Sequence, residues 1–72
     1  MYEIFELLLK RDSTTAYRVS LATGVPNSTF SEWKKGLYTP KVDKMQKIAA
    51  YFGVTLEYLL TGKEASNERK EN

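Results

Sequence analysis

The segment over 27–35 holds the side chains best suited to chemistry in this chain, and that chemistry is hydrogen bonding. Polar residues share one side of a helical pattern, opposite Phe30 and Trp33, and they are Asn27, Ser28, Ser31 and Glu32. An Asn amide can pair with adenine, a Ser hydroxyl can donate or accept, and a Glu carboxylate can accept from cytosine. Asn is equally suited to capping a helix, and an exposed Glu is ordinary on a helix surface. The pattern therefore leaves open a base-reading surface or a plain solvated one.

A helix-turn-helix over about residues 15–36 would position these side chains. Thr15 precedes a helical run at 16–23 and can accept from a backbone N–H of its first turn. Gly24 follows that run, where left-handed backbone ends a helix at low steric cost. A Val-Pro pair then turns the chain into a second helix at about 28–35. Two helices joined by so short a turn form a helix-turn-helix, whose second helix fits the DNA major groove.

Apolar spacing predicts three further helices, over 2–10, 42–52 and 55–62. Trp33 belongs to the core rather than to a stacking surface, because it follows Phe30 by three positions on the apolar side. The predicted core is Ile4, Phe5, Leu8, Val19, Ala22, Val25, Phe30, Trp33, Ile48, Phe52, Val54, Leu56 and Leu59. The residues of the fourth helix expected to face inward are Val42, Met45, Ile48, Ala49 and Phe52. Five short helices with short loops predict a compact all-α domain.

Composition excludes several classes of site. A chain of 72 residues forms one domain, and its 42% hydrophobic content is enough for a compact helical core. Cysteine and histidine are both absent, which excludes disulfides and metal sites built on thiolate or imidazole. No convergent acid–base pair is visible among the remaining side chains. We therefore expect no enzyme activity, no metal and no cofactor.

Positive charge is concentrated in one part of the chain, although the net charge is only +2. Residues 34–47 hold five lysines against the single acid Asp43. Such a cluster beside the predicted second helix is typical of a phosphate-binding surface, and a solvated lysine face is an equal alternative. The segment 63–72 balances its bases and acids and is predicted to be a mobile polar tail. No apolar run approaches the roughly 20 residues that span a bilayer, so we expect no membrane contact and a cytoplasmic location.

The motif resembles the helix-turn-helix domain of the phage-repressor type, the Cro/CI or XRE-like family. That family has a branched apolar residue, a small residue, a glycine four positions later and an apolar residue six beyond it. Here they are Val19, Ser20, Gly24 and Phe30. The sequence KIAAYFGVTLEYLLTG at 47–62 resembles the closing helices of the same family. The resemblance covers about residues 1–62 and implies a five-helix, lambda-repressor-like DNA-binding domain.

Two positions depart from the family pattern. Ser20 stands where Ala is usual, and Lys41 stands where a Ser or Thr cap is usual. The first is a mild change, and the second makes the start of the fourth helix harder to place.

The resemblance also implies roles for individual residues. It maps base reading onto Asn27, Ser28 and Glu32, with Ser31 beside them, and it places Thr15 close to a phosphate. The other residues expected to contact the DNA backbone are Tyr17, Arg18, Lys34, Lys35, Tyr38, Thr39 and Lys41. For Arg18 a solvated surface charge is an equal alternative.

The sequence as a whole predicts a sequence-specific transcriptional regulator, a repressor, that binds double-stranded DNA as a homodimer, at least on DNA. It would work at the nucleoid of a bacterium, or in a phage-derived system. Tyr51, Tyr58 and Leu60 are expected at the dimer contact, because they are apolar and less clearly needed inside. The alternative is a protein-interaction module, such as the antitoxin of a toxin–antitoxin pair. The lysine cluster favours DNA, and the tail lacks the apolar residues that a partner-binding extension needs.

Overall fold

Five α-helices make up the fold in a computed structural model that describes residues 1–63. They are α1 (Tyr2–Arg11), α2 (Ala16–Thr23), α3 (Asn27–Lys34), α4 (Val42–Phe52) and α5 (Leu56–Thr61). No strand occurs in this described part of the chain, and the all-α prediction is confirmed. The bounds of α2 and α4 are those predicted, while α3 begins one residue earlier than expected. Beyond Lys63, the predicted tail lies outside the described residues.

None of the five helices is long and apolar enough to cross a membrane, within the residues that the structure describes.

Hydroxyl caps and left-handed glycines set both ends of α2 and α5. The Thr15 hydroxyl accepts from the Arg18 N–H at 3.2 Å, as its position before α2 predicts. Thr55 caps α5 in the same way, accepting from the Tyr58 N–H at 3.0 Å. Gly24 ends α2 with φ of 81°, a left-handed conformation that costs a glycine little.

Side-chain hydrogen bonds hold the turn between α2 and α3. The Ser20 hydroxyl donates to the Val25 carbonyl at 2.6 Å across the turn. Thr23 donates to the Val19 carbonyl at 2.7 Å and accepts from the Val25 N–H at 3.2 Å. An alanine at position 20 could not make the first of these bonds, so the departure from the family pattern gives this turn an extra connection.

An aromatic cluster occupies the centre of the core. The Phe5 ring stacks on Phe30 with centroids 4.9 Å apart, and its centroid lies 5.4 Å from that of Trp33. Trp33 is 4% exposed, so its assignment to the core is confirmed. The buried apolar residues are Phe5, Leu8, Val19, Val25, Phe30, Trp33, Met45, Ile48, Ala49, Phe52 and Leu59. Three predicted core residues, Ile4, Val54 and Leu56, pack at its edge and are half-buried.

Two predictions about inward-facing residues are wrong. Ala22 is exposed, because its side of α2 faces an open groove beside α4 rather than a packed neighbour. Val42 is 59% exposed, because it is the first residue of α4 and precedes the buried stripe, which begins at Met45. Helical spacing alone identified which side of each helix is buried. It did not show where along the helix the neighbouring helices stop covering that side.

Candidate nucleic-acid interface

The outer side of α3 carries all four residues predicted to read bases. Its inner side is buried through Thr29, Phe30 and Trp33, which fixes the direction that the helix presents outward. The exposed residues are Asn27, Ser28, Ser31 and Glu32. The sequence thus placed these side chains correctly on one surface, and their contact with DNA stays a prediction.

Asn27 and Glu32 lie at opposite edges of this surface. They are five positions apart, which separates them by about 140° around a helix of 3.6 residues per turn. Asn27 borders a cleft shared with α1 and α2, whereas Glu32 does not line that cleft.

Asn27 does not cap α3. The N-cap position belongs to Pro26, and no side chain there makes a capping bond. Asn27 is the first helical residue, is exposed, and makes no side-chain hydrogen bond with another residue of 1–63. Of the two roles considered for Asn27, the capping role is therefore not found, and its amide is available to a ligand.

A cleft of about 250 Å³ joins the starts of α1 and α2 to the side of α3. Its lining residues are Tyr2, Ala16, Asn27, Phe30, Ser31 and Lys34. The Tyr2 ring packs edge-on against Trp33, with centroids 5.4 Å apart. Burial, and to a smaller degree the charge of Glu6, raises the pKa of Tyr2, so its hydroxyl stays protonated and able to donate. Sequence reasoning missed Tyr2, whose signal was its spacing of three residues from Phe5.

The start of α2 presents backbone donors beside this cleft. Thr15 satisfies the Arg18 N–H, and the N–H groups of Ala16 and Tyr17 have no partner within the helix. Such groups at a helix N-terminus bind anions, phosphate included. Tyr17 is 62% exposed and can reach a ligand at this end. Arg18 is also exposed, but it is two positions from Ala16 and so lies on the opposite side of α2, and its contact with the DNA backbone stays a prediction.

The loop after α3 extends the polar surface. Gly36 adopts φ of 78°, and the Leu37 N–H donates back to the Glu32 carbonyl at 2.9 Å, which closes α3 tightly. Thr39 is exposed, and Tyr38 is half-buried. This close turn keeps the loop next to the C-terminal end of α3.

The structure divides the lysine cluster that the sequence suggested. Lys34 and Lys35 stand at the end of α3, and Lys41 is the exposed N-cap of α4, without a side-chain capping bond. Lys47 instead lines a groove between α4 and α2. Lys34, Lys35 and Lys41 therefore stand at the end of α3 or at the end of the loop that follows it, whereas Lys47 faces the groove and Lys44 is half-buried.

The three residues predicted at a dimer contact do not share a helix face. Tyr58 is half-buried against the core, and Leu60 is 36% exposed. Two positions on a helix are about 200° apart, so these side chains leave α5 on different sides. Tyr51 lies on α4, with its hydroxyl 3.5 Å from that of Thr14. Leu60 is thus the clearest candidate on α5 for contact with a second copy.

Comparison with known proteins gives one family and two relatives. A family model described as helix-turn-helix matches residues 6–59. The chain is 43% identical over 51 residues to an uncharacterized HTH-type transcriptional regulator of Haemophilus influenzae, covering 67% of this chain and 21% of that protein. It is 28% identical over 68 residues to the cryptic phage CTXphi transcriptional repressor RstR of Vibrio cholerae, covering 94% of this chain and 60% of that repressor. No solved structure matches at a significant level.

Proposed function

The chain belongs to the helix-turn-helix family, and from this premise we propose that it is a sequence-specific DNA-binding transcriptional regulator that reads the major groove with α3. The observation that carries the proposal is the outer side of α3, where hydrogen-bonding side chains stand exposed opposite a buried aromatic side. Asn27 and Ser31 have the groups that pair with base edges. The proposal gives the chain a binding role, with no catalytic step.

Contacts on either side of α3 would hold the helix in register. The N–H groups at the start of α2 bind one phosphate, with Thr15 fixing the first turn. Lys35 and Lys41 reach phosphates on the far side of α3, with Thr39 between them in the loop. Such contacts supply affinity and orientation, and the base contacts supply discrimination.

The protein would act as a dimer. One short helix reaches only a few base pairs, which gives too little discrimination within a genome. Two copies related by a two-fold axis would read half-sites about 34 Å apart on one face of the duplex. The exposed apolar side chain of Leu60 on α5 supports pairing there. Both relatives are named as transcriptional regulators, one of them a repressor, which supports a repressing role in a bacterial or phage-derived system.

Selection of genomic fragments, followed by footprinting at a stated salt concentration, tests the proposal. We expect protection of a two-fold symmetric site, and its loss in the double variant Asn27→Ala/Ser31→Ala, which removes two exposed side chains and should leave folding intact. Leu60→Asp should abolish cooperative occupancy of the two half-sites, while the exposed α4 change Gln46→Asp should not. Recovery of no sequence, or a footprint that the double variant leaves unaltered, would contradict the proposal.

A further inference from the structure

A shallow groove of about 390 Å³ runs between α2 and α4. Its lining residues are Ala22, Thr23, Lys47, Ala50 and Tyr51. Ala16 lines the cleft beside α3. Ala22 lies six positions later on α2, about 240° further around the helix. The groove therefore opens on a different side of α2 from the surface assigned to DNA.

The floor of the groove is apolar and built from small side chains. Ala22 and Ala50 are both exposed, and the Tyr51 ring, 40% exposed, lines the groove with them. Leu21, next to Ala22 in the chain, is 68% exposed on the outer surface of α2. Two alanines between two helices leave room for bulkier apolar side chains from a ligand, which is the shape that receives an amphipathic helix.

Positive charge lies on the α4 wall of the groove and next to its α2 wall. Lys47 stands on the α4 wall, and Arg18 lies one turn before Ala22 on the same side of α2. Neither cation forms an ion pair within residues 1–63. Asp43 is the acid on this part of α4, one turn before Lys47. Two unpaired cations flanking an apolar floor complement an acidic ligand.

We propose that this groove docks an acidic amphipathic helix of a partner protein, with its apolar side on Ala22 and Ala50 and its carboxylates on Arg18 and Lys47. A second copy of this chain fits less well, because a symmetric pairing brings the same two cations from each side. The docked helix and a ligand on α3 would occupy different sides of α2. The groove therefore gives the protein a second binding surface, and this inference does not depend on DNA binding.

The test uses the full 72-residue chain and a fluorescently labelled synthetic helical peptide. The peptide carries Leu at positions i, i+3, i+4 and i+7 and Glu along both flanks, and a control peptide has Lys at each Glu position. Fluorescence anisotropy should show binding of the acidic peptide only. Ala50→Glu should weaken it at least about tenfold, as loss of a central contact does. Lys47→Glu should weaken it at least as much, because the reversed charge repels the carboxylates of the peptide. Lys41→Glu makes the same charge change outside the groove and should leave peptide affinity unaltered.

Several results would overturn the inference. One is an absence of binding by the acidic peptide, and another is equal binding of the acidic and control peptides. A third is an equal loss of peptide affinity in Lys41→Glu and Lys47→Glu. Circular dichroism confirms that each variant is folded. Sedimentation provides another check, since a change of oligomeric state in Lys47→Glu would make the groove a self-association surface. DNA titration provides the last, since a loss of DNA affinity in Lys47→Glu as large as in Lys41→Glu would assign the groove to DNA. If the protein bound the acidic peptide but no DNA, the proposed DNA-binding function would fail and this inference would still hold.

Discussion

Glu32 is the acidic side chain on the outer surface of α3, and its charge limits where it can lie in a complex. Phosphate repels a carboxylate, whereas a cytosine amino group donates to one. Its place at the edge of α3 opposite Asn27 permits contact with a base edge away from the cleft beside α2. Glu32 therefore belongs to base reading or to the solvent, and a substitution distinguishes the two.

Glu32→Gln should change base preference at one symmetric pair of positions by roughly 1–3 kcal/mol and leave the other positions alone. The amide replaces an acceptor with a group that can also donate, so a different base becomes acceptable. Binding to a library of duplex variants measures the profile. Glu57→Gln, an exposed acid in the first turn of α5, serves as the matched control. An unaltered profile for Glu32→Gln would place this side chain in the solvent.

Trp33→Ala should destabilise the domain by roughly 3–5 kcal/mol, a large share of the stability of so small a chain. The indole is 4% exposed and packs against Tyr2 and Phe5, so its removal opens a cavity in the aromatic cluster. Urea unfolding followed by circular dichroism measures the change. Leu37→Ala, at a side chain 74% exposed, should change stability by less than about 0.5 kcal/mol. A stable Trp33→Ala variant that loses only DNA affinity would contradict the core assignment.

At the scale of elements, α2 and α5 begin with equivalent threonine caps. Comparing the two distinguishes the effect of a cap on stability from its effect on DNA binding. Thr15 and Thr55 both accept from the N–H three residues on, at 3.2 and 3.0 Å. Only the first begins a helix placed beside the outer surface of α3. Thr55 is thus a structural match for Thr15 without its proximity to the candidate interface.

Thr15→Ala and Thr55→Ala should each lower the free energy of unfolding by about 1 kcal/mol, because each leaves a helix end uncapped. Thr15→Ala should in addition weaken DNA binding, since it loosens the turn whose N–H groups are proposed to bind a phosphate. Thermal unfolding and DNA titration of both variants provide the comparison. Equal DNA affinities for the two variants would remove the start of α2 from the interface.

Local signals decided which elements could be predicted. The bounds of α2 followed from Thr15 and Gly24, which act through hydrogen bonds and φ values fixed within a few residues. The exposure of Ala22 could not be predicted, because it depends on how closely α4 approaches an eight-residue helix. The orientation of Lys47 could not be predicted for the same reason. It belongs to the same sequence cluster as Lys41 but faces a different side of the molecule. The polar surface of α3 was predictable because the opposite side is marked by two aromatic residues.

At the scale of the whole molecule, the placement of the lysines predicts which of them contribute to salt dependence. Each phosphate contact removed should flatten the slope of log K against log salt by about 0.9 on duplex DNA. Lys35→Ala and Lys41→Ala should show this change, because both stand near α3 and its loop. Lys47→Ala should not, because that side chain lines the groove between α2 and α4.

Titrations of a single duplex over a range of salt concentrations measure these slopes. The comparison among lysines removes the effect of net charge, since every variant loses one positive charge. Unchanged slopes in both Lys35→Ala and Lys41→Ala would contradict the proposal that these lysines contact the DNA backbone. A flattened slope in Lys47→Ala would extend the DNA surface to α4.

The aromatic cluster has a spectroscopic consequence. The chain contains one tryptophan, and Trp33 lies on the inner side of α3 against Tyr2 and Phe5. Its emission therefore comes from a single dry environment, shielded from aqueous quenchers until the core opens. Because α3 itself stands between this indole and its own outer surface, a ligand bound there would not stack on the ring. Intrinsic fluorescence would then report unfolding of the native chain without a label, even while the outer surface of α3 is occupied.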